Sequence, residues 1–310
     1  MTLSVVFAGQ NGPFAPPVLD YLLRAQDEHF QVTTCLLGRR GGNNEPHFRW
    51  RRAGVRSHFK TWFSQNQPTT TDLALGAGIP VLEISDIGSE LTKIEIEKLQ
   101  GDILVCAGFS RLFPIGVLEA FKEGALNIHP SKLPEWRGPS PILWQLHWGI
   151  RDWFVSIHHM DTREDHGPVL STQPFAVSQT DSGAEIFHAA GRRAAPALLE
   201  LLKKAAVHGL PEGCPQLEDG SQTPRAGRPD ASFGRIRQKE WDAEHVVRFA
   251  SGARFFLRVY VEVEDELFFV KRGLRVDESG DSIPGDCVIF GHELFLQCAQ
   301  GVAVLELEAS

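Results

Sequence analysis

The chain has 310 residues, 42% hydrophobic and 23% charged, with a formal net charge of −8 at pH 7. That is enough apolar material for one large core or two smaller ones, and it excludes fibrous, collagenous and wholly disordered chains. The longest apolar runs fall far short of the roughly 20 residues that cross a bilayer, and residues 3–9 lack the charged start and cleavage site of a secretory signal, so a cytoplasmic protein is expected.

In chain order, residues 3–8 are a short apolar β run closed by Gly9, and residues 16–24 have helical spacing after a proline start. Residues 30–37 predict a second strand, 79–84 a short third, 94–99 a helical stretch and 103–107 a fully apolar fourth strand. Strands alternating with helices predict an α/β, Rossmann-like domain with a parallel-rich sheet. Ligands of such sheets bind outside the carboxyl ends of the strands, which points to the loops after Ala8, Ala107 and Ile128. A dinucleotide site is excluded there, because residues 9–12 lack the G-x-G-x-x-G spacing.

Between residues 36 and 63 the chain carries Arg39, Arg40, Arg49, Arg51, Arg52, Arg56 and Lys60 against the single acid Glu45. Such a run either holds a phosphate or polyanion or forms a solvated face. The five cysteines are odd in number and scattered, which suggests neither a disulfide framework nor a zinc site, and no metal is expected.

Residues 124–131 place Asn127 and His129 two apart on an extended segment, so both side chains point to one side of the sheet before Pro130 stops the strand. A loop rich in Pro and Gly follows over 132–140, then helical spacing over 142–148. Residues 155–161 are again extended, and a polar loop carrying Asp165 leads to a strand over 169–175. His158 and His159 are a weak metal signal, since neighbours on a strand face opposite ways, and His158 reads as structural. The tryptophans 136, 144, 148 and 153 read as core and loop anchors.

Residues 210–230, rich in Pro, Gly and polar residues, read as a linker between a domain over 1–209 and a smaller one over 231–310. In the latter, a helical stretch over 243–252 precedes short runs over 255–263, 266–271, 286–290, 293–298 and 302–307, the pattern of a small antiparallel barrel.

Three motifs in this order, Asn-Ile-His-Pro-Ser at 127–131, Leu-Pro-x-x-Arg-Gly at 133–138 and Met-Asp…Asp-x-Gly at 160–167, resemble the folate-dependent formyltransferases. The resemblance is specific over about residues 104–170. It implies 10-formyltetrahydrofolate as formyl donor and an OB-like carboxyl domain, opened by residues 234–241. It places the catalytic Asn, His and Asp on Asn127, His129 and Asp165. A folate pocket would be lined by Gly108, Phe109, Ser110, Arg111 and Leu112, and by Asp161, Thr162, Glu164, His166 and Gly167. Acceptor contacts would fall to Gln10, Asn11, Ser131, Arg137 and Gly138. The chain departs from the family pattern at residues 164–168, where Glu-Asp-His-Gly-Pro adds an imidazole and lacks a carboxylate, and at Pro139 and Ser140.

The chemistry agrees with these roles. An amine attacking a formyl carbon creates an oxyanion and must lose a proton, so an amide N–H donor, an imidazole and a carboxylate to orient it suffice. Three acceptor readings and one without chemistry stand. A small-molecule amine, such as an amino sugar nucleotide or an amino-acid-derived amine, is preferred. Methionyl-tRNA is not favoured, because the carboxyl domain carries Glu262, Glu264, Asp265 and Glu266 where a tRNA-binding domain would offer Lys and Arg. Water as acceptor would make the protein a 10-formyltetrahydrofolate hydrolase, and loss of chemistry would leave a folate- or RNA-binding adaptor. A homodimer is left open.

Overall fold

The computed structural model describes residues 2–39, 46–52, 67–217, 225–279 and 283–309. The chain gathers into two compact units. One comprises residues 1–138, 154–175 and 188–225, the other residues 139–153, 176–187 and 226–310. The second unit therefore draws on two internal segments as well as the carboxyl-terminal residues, a discontinuous arrangement that a serial division at a 210–230 linker does not anticipate.

The first unit is built on the apolar runs. In chain order it contains β1 (Leu3–Gly9), α1 (Ala15–Ala25), β2 (Phe30–Gly38), β3 (Phe48–Arg51), α2 (Thr70–Gly76), β4 (Val81–Ile84), α3 (Glu90–Glu97), β5 (Ile103–Ala107), α4 (Ile115–Leu118) and β6 (Ala125–His129). After α5 (Pro141–His147), which belongs to the second unit, come β7 (Trp153–His159) and β8 (Val169–Phe175), then the 26-residue α6 (Gly183–His208), most of it in the first unit.

The strands form one sheet in the order β3-β4-β2-β1-β5-β6-β7-β8. The run β4-β2-β1-β5-β6 is parallel, while β3 on β4 and β7 on β6 are antiparallel. Alternate residues Val6, Ala8, Leu104 and Cys106 turn to a core closed by Ile96 of α3 and by Val117 and Leu118 of α4. Their neighbours Val5, Phe7, Ile103 and Val105 are buried as well. Burial on both faces explains why these strands are continuous apolar runs rather than alternating ones.

In the second unit, α5 packs on α7 (Ala243–Ala253). Strands β9 (Val259–Val263), β10 (Glu266–Val276), β11 (Cys287–Phe290), β12 (Glu293–Gln297) and β13 (Val302–Leu307) form an antiparallel sheet in the order β11-β12-β13-β10-β9. It is a curled half-barrel, and the register of β10 against β13 shifts twice, after Val270 and after Gly273. Such shifts bend a strand without ending its pairing. Among the described residues no helix is long and apolar enough to cross a membrane.

Candidate active site

The site begins with the pairing of β6 and β7. Their antiparallel register sets Asn127 opposite His158 and His129 opposite Ser156, so the four side chains share one face. Ser156 fixes the chain beyond β6: its hydroxyl donates to the Ser131 carbonyl at 2.7 Å and accepts from the Leu133 N–H at 3.2 Å. The loop after β7 then brings Asp165 back to this face.

Asp165 is the hub. Its Oδ1 accepts from Asn127 Nδ2 at 3.1 Å and its Oδ2 from the Gly138 N–H at 2.9 Å. His129 Nδ1 lies 3.4 Å from Oδ2, and His158 Nε2 lies 3.7 Å from Oδ1. The backbone is left-handed at Asp165 (φ 53°) and at Trp136 (φ 60°). Two non-glycine residues held in that sparsely occupied region, both touching the same cluster, mark a geometry that its surroundings enforce.

Hydrogen-bond partners assign the protons. His129 Nε2 donates to the Trp136 carbonyl at 3.0 Å, because a carbonyl can only accept. In the neutral ring this leaves the Nδ1 lone pair facing Asp165. His158 Nδ1 donates to the His159 carbonyl at 2.7 Å, so its Nε2 accepts from Asn127 Nδ2 at 3.1 Å. Both N–H bonds of the Asn127 amide are thus committed, one to His158 and one to Asp165. The expected oxyanion donor is already engaged in this state, and the amide presents its oxygen instead.

Burial pushes the Asp165 carboxyl up. The His129 charge, the His158 ring and the Gly138 N–H outweigh that and hold it down at about 2. Burial lowers the affinity of His129 for a proton, opposed by Asp165 and the Trp136 carbonyl. At neutral pH the pair is therefore an ionised carboxylate beside a neutral imidazole, and a proton arriving at Nδ1 would be met at once by Asp165.

The structure brings together Asn127, His129 and Asp165 and adds His158, which sequence reasoning assigns a structural place. The signal for His158 is the β6–β7 register, which a single sequence does not display. Three of the expected acceptor contacts have partners within the protein. Ser131 is wholly buried, with its hydroxyl donating to the Glu135 carbonyl at 2.6 Å. Arg137 Nε donates to Gln216 at 2.9 Å, and the Gly138 N–H serves Asp165. Trp136 is likewise a buried anchor.

The loops after β1 and β5 meet at Gly38. A Cβ there would lie 3.2 Å from Ser110 Oγ, 3.5 Å from the Phe109 ring and 3.7 Å from Gln10 Nε2. The Asn11 side-chain oxygen Oδ1 accepts from the backbone N–H and the hydroxyl of Thr71, each at 3.0 Å, while the Gln10 backbone carbonyl accepts from the Thr70 hydroxyl at 2.6 Å. Asn11 and Gln10 are thereby fixed to the start of α2. Of the expected folate residues, Gly108 has φ 71°, Phe109 packs on Phe113 with centroids 4.8 Å apart, and Leu112 is exposed. Arg111 ties the carbonyls of Ser85 and Arg39.

Around Asp165, Asp161 accepts from the Arg163 N–H at 2.7 Å and faces His166 Nδ1 at 3.2 Å, Thr162 is exposed, and Glu164 pairs with Arg225. Gly167 passes so close to β7 that a Cβ would sit 2.0 Å from the His159 carbonyl oxygen, so no side chain fits.

The basic run divides. Arg49 and Arg51 of β3 both pair with Glu83 of β4, Arg39 Nη2 donates to the Pro46 carbonyl at 2.7 Å, and Arg52 is exposed. Arg40, Arg56 and Lys60 lie outside the described residues.

Residues 72–201 match the family model described as formyl transferase. A methionyl-tRNA formyltransferase of Methylococcus capsulatus is 25% identical over 237 residues, 76% of each chain. Three further curated relatives of the same name are 30–32% identical, and the match spans about half of their length, 49–52%. Among solved structures, an N-formyltransferase from Helicobacter canadensis, in complex with folinic acid and dTDP-3-aminofucose, superposes with a TM-score of 0.65 at 14% identity. That match covers 99% of this chain and 100% of the other. HypX from Aquifex aeolicus, in complex with tetrahydrofolic acid, gives 0.60 at 14% identity over 98% of this chain, which spans 43% of that protein. These structural likenesses establish a shared fold. The segment matched by the formyl transferase model holds Asn127, His129, His158 and Asp165 on one scaffold, and over that segment the chain is similar to the folate-dependent formyltransferases.

Proposed function

We propose that the protein transfers the formyl group of 10-formyltetrahydrofolate to the amine of a small molecule. The observation that carries this reading is the ionised Asp165 facing the Nδ1 lone pair of His129, with the Asn127 oxygen on the same strand face.

The amine nitrogen attacks the formyl carbon, forming the new C–N bond, while its N–H donates to the Asn127 oxygen. His129 Nδ1 takes the proton the amine loses, and Asp165 stabilises the imidazolium. As the bond to folate N10 breaks, the same proton passes to that nitrogen, so charge and atoms balance. The Gly108–Leu112 loop and residues 161–167 hold the folate.

Two observations favour a small acceptor over tRNA. Arg49 and Arg51 both pair with Glu83, so that part of the basic run is an acid-paired strand rather than an open basic patch for a polyanion. The β9–β10 hairpin presents Glu264 and Asp265 at its turn, where a polyanion would meet repulsion.

The test is release of tetrahydrofolate from purified protein and 10-formyltetrahydrofolate, alone, with amino sugar nucleotides and amino acids, and with initiator methionyl-tRNA, using Asp165→Asn as blank. Release dependent on one small amine supports the reading. Release only with the tRNA, or with no acceptor, replaces it with the tRNA enzyme or the hydrolase.

A further inference from the structure

We infer that Gln216 is a positioning residue for this reaction, the buckle of a strap over residues 211–217 that sets the Asp165 loop against the loop of residues 136–138. The inference rests on the formyl-transfer reading above. Composition marks residues 210–230 as a linker, but their first part is bound to the site's frame. Val169 and Cys214 exchange two backbone hydrogen bonds, each of 2.8 Å, and the Pro211 carbonyl accepts from His159 Nε2 at 2.7 Å.

The strap delivers the Gln216 side chain, nearly buried, to a point between the two loops. Its Nε2 donates to the Asp165 carbonyl at 3.0 Å and to the Gly167 carbonyl at 2.7 Å. Its Oε1 accepts from Arg137 Nε at 2.9 Å. Arg137 stands between Trp136, whose carbonyl accepts from His129, and Gly138, whose N–H binds the Asp165 carboxylate. One amide thus fixes the separation of His129 and Asp165 while touching neither ring nor carboxylate.

The residue type follows from that task. Two carbonyls and one guanidinium N–H require two donors and one acceptor on the same group, which glutamine supplies and glutamate does not. Asparagine is shorter by one methylene. The left-handed backbone at Asp165 (φ 53°) is a conformation that needs such outside support.

The experiment compares the intact wild-type chain with Gln216→Ala and with the nearly isosteric Gln216→Met. It reads kcat and KM for tetrahydrofolate release and, separately, the NMR titration midpoint of the His129 ring, which Asp165 and His158 face. The expected result is kcat lowered by about 30- to 100-fold, as a displacement of about 1 Å produces, with KM for the folate donor within about twofold. The His129 midpoint moves away from its wild-type value.

An unchanged kcat and an unchanged midpoint in folded Gln216→Met overturn the inference. So do parallel losses in kcat and affinity with the midpoint unmoved. Should Gln216→Ala fail to fold, Gln216→Met decides. Should the wild-type protein release no tetrahydrofolate with any acceptor, the functional reading fails, while the His129 midpoint still upholds or overturns the role of Gln216.

Discussion

Two carboxylates of the first unit, Glu83 buried in the sheet and Asp165 largely shielded in the loop after β7, make an instructive contrast. Glu83 on β4 and Asp165 beyond β7 each draw polar partners from a neighbouring segment. The partners of Glu83 are Arg49 and Arg51, cations that keep their charge at any pH a protein survives, and the cluster clips edge strand β3 to the sheet. The partners of Asp165 are an amide, a backbone N–H and two imidazoles. The first cluster can only hold, whereas the second can take up a proton and give it back. A buried charge cluster becomes chemical machinery when its partners titrate, and charge or burial alone does not distinguish the two.

The contrast breaks most visibly at Asp165. Asp165→Asn keeps the shape and removes the charge that stabilises protonated His129, so kcat for tetrahydrofolate release should fall by about 10³-fold with the fold intact by circular dichroism. Glu83→Gln should do the reverse. It leaves two arginines without their buried counter-ion and lowers unfolding stability in urea by about 3 kcal/mol, with kcat within about twofold of wild type.

A third expectation is acid sensitivity. The Asp165 carboxyl, ordinarily at 3.8, is held at about 2 in the folded chain. Its ionised form therefore favours folding while His129 carries its charge, and that contribution is lost as the pH falls from about 5 to 2. Urea titrations of wild type and Asp165→Asn should converge over that window, and parallel curves would assign the stabilisation elsewhere. The smallest effect is expected of Arg49→Ala. That side chain is 48% exposed and Arg51 remains on Glu83, so the stability loss should stay within about 1 kcal/mol.

Much of the fold is legible in the sequence because its strands are continuous apolar runs. Strands β1, β2, β5, β6 and β7 stand close to where periodicity places them. Sequence reasoning does not assign helix α6, in which Gly191 and Pro196 interrupt an otherwise helical composition. Gly191 is required there, since a Cβ would sit 2.5 Å from the Phe14 carbonyl oxygen. The short α2 depends on a capping box at Thr69 and Asp72 rather than on an apolar stripe.

At the site, Asn127, His129 and Asp165 are legible as motif residues, but their wiring is not. The place of His158 follows from the reversal of β7 against β6, and that of Gln216 from a strap that composition marks as a linker. Both are facts of register and long-range pairing, which a single chain's local pattern does not encode. The same holds for Ser131 and Arg137, whose polar ends are turned to neighbouring backbone and to Gln216.

The paired bonds between Val169 and Cys214 have a consequence for how this scaffold tolerates change. They staple the base of a long excursion, residues 170–213, that contains α6 and all of β8 but its first residue. Closing a chain segment costs entropy that rises only with the logarithm of its length, about 0.6 kcal/mol per doubling. Extra residues within the excursion are therefore cheap so long as its two feet stay stapled. A single residue inserted between Cys214 and Gln216 would instead swing the amide away from Asp165 and Gly167, so the excursion is free to vary in length while its base is not.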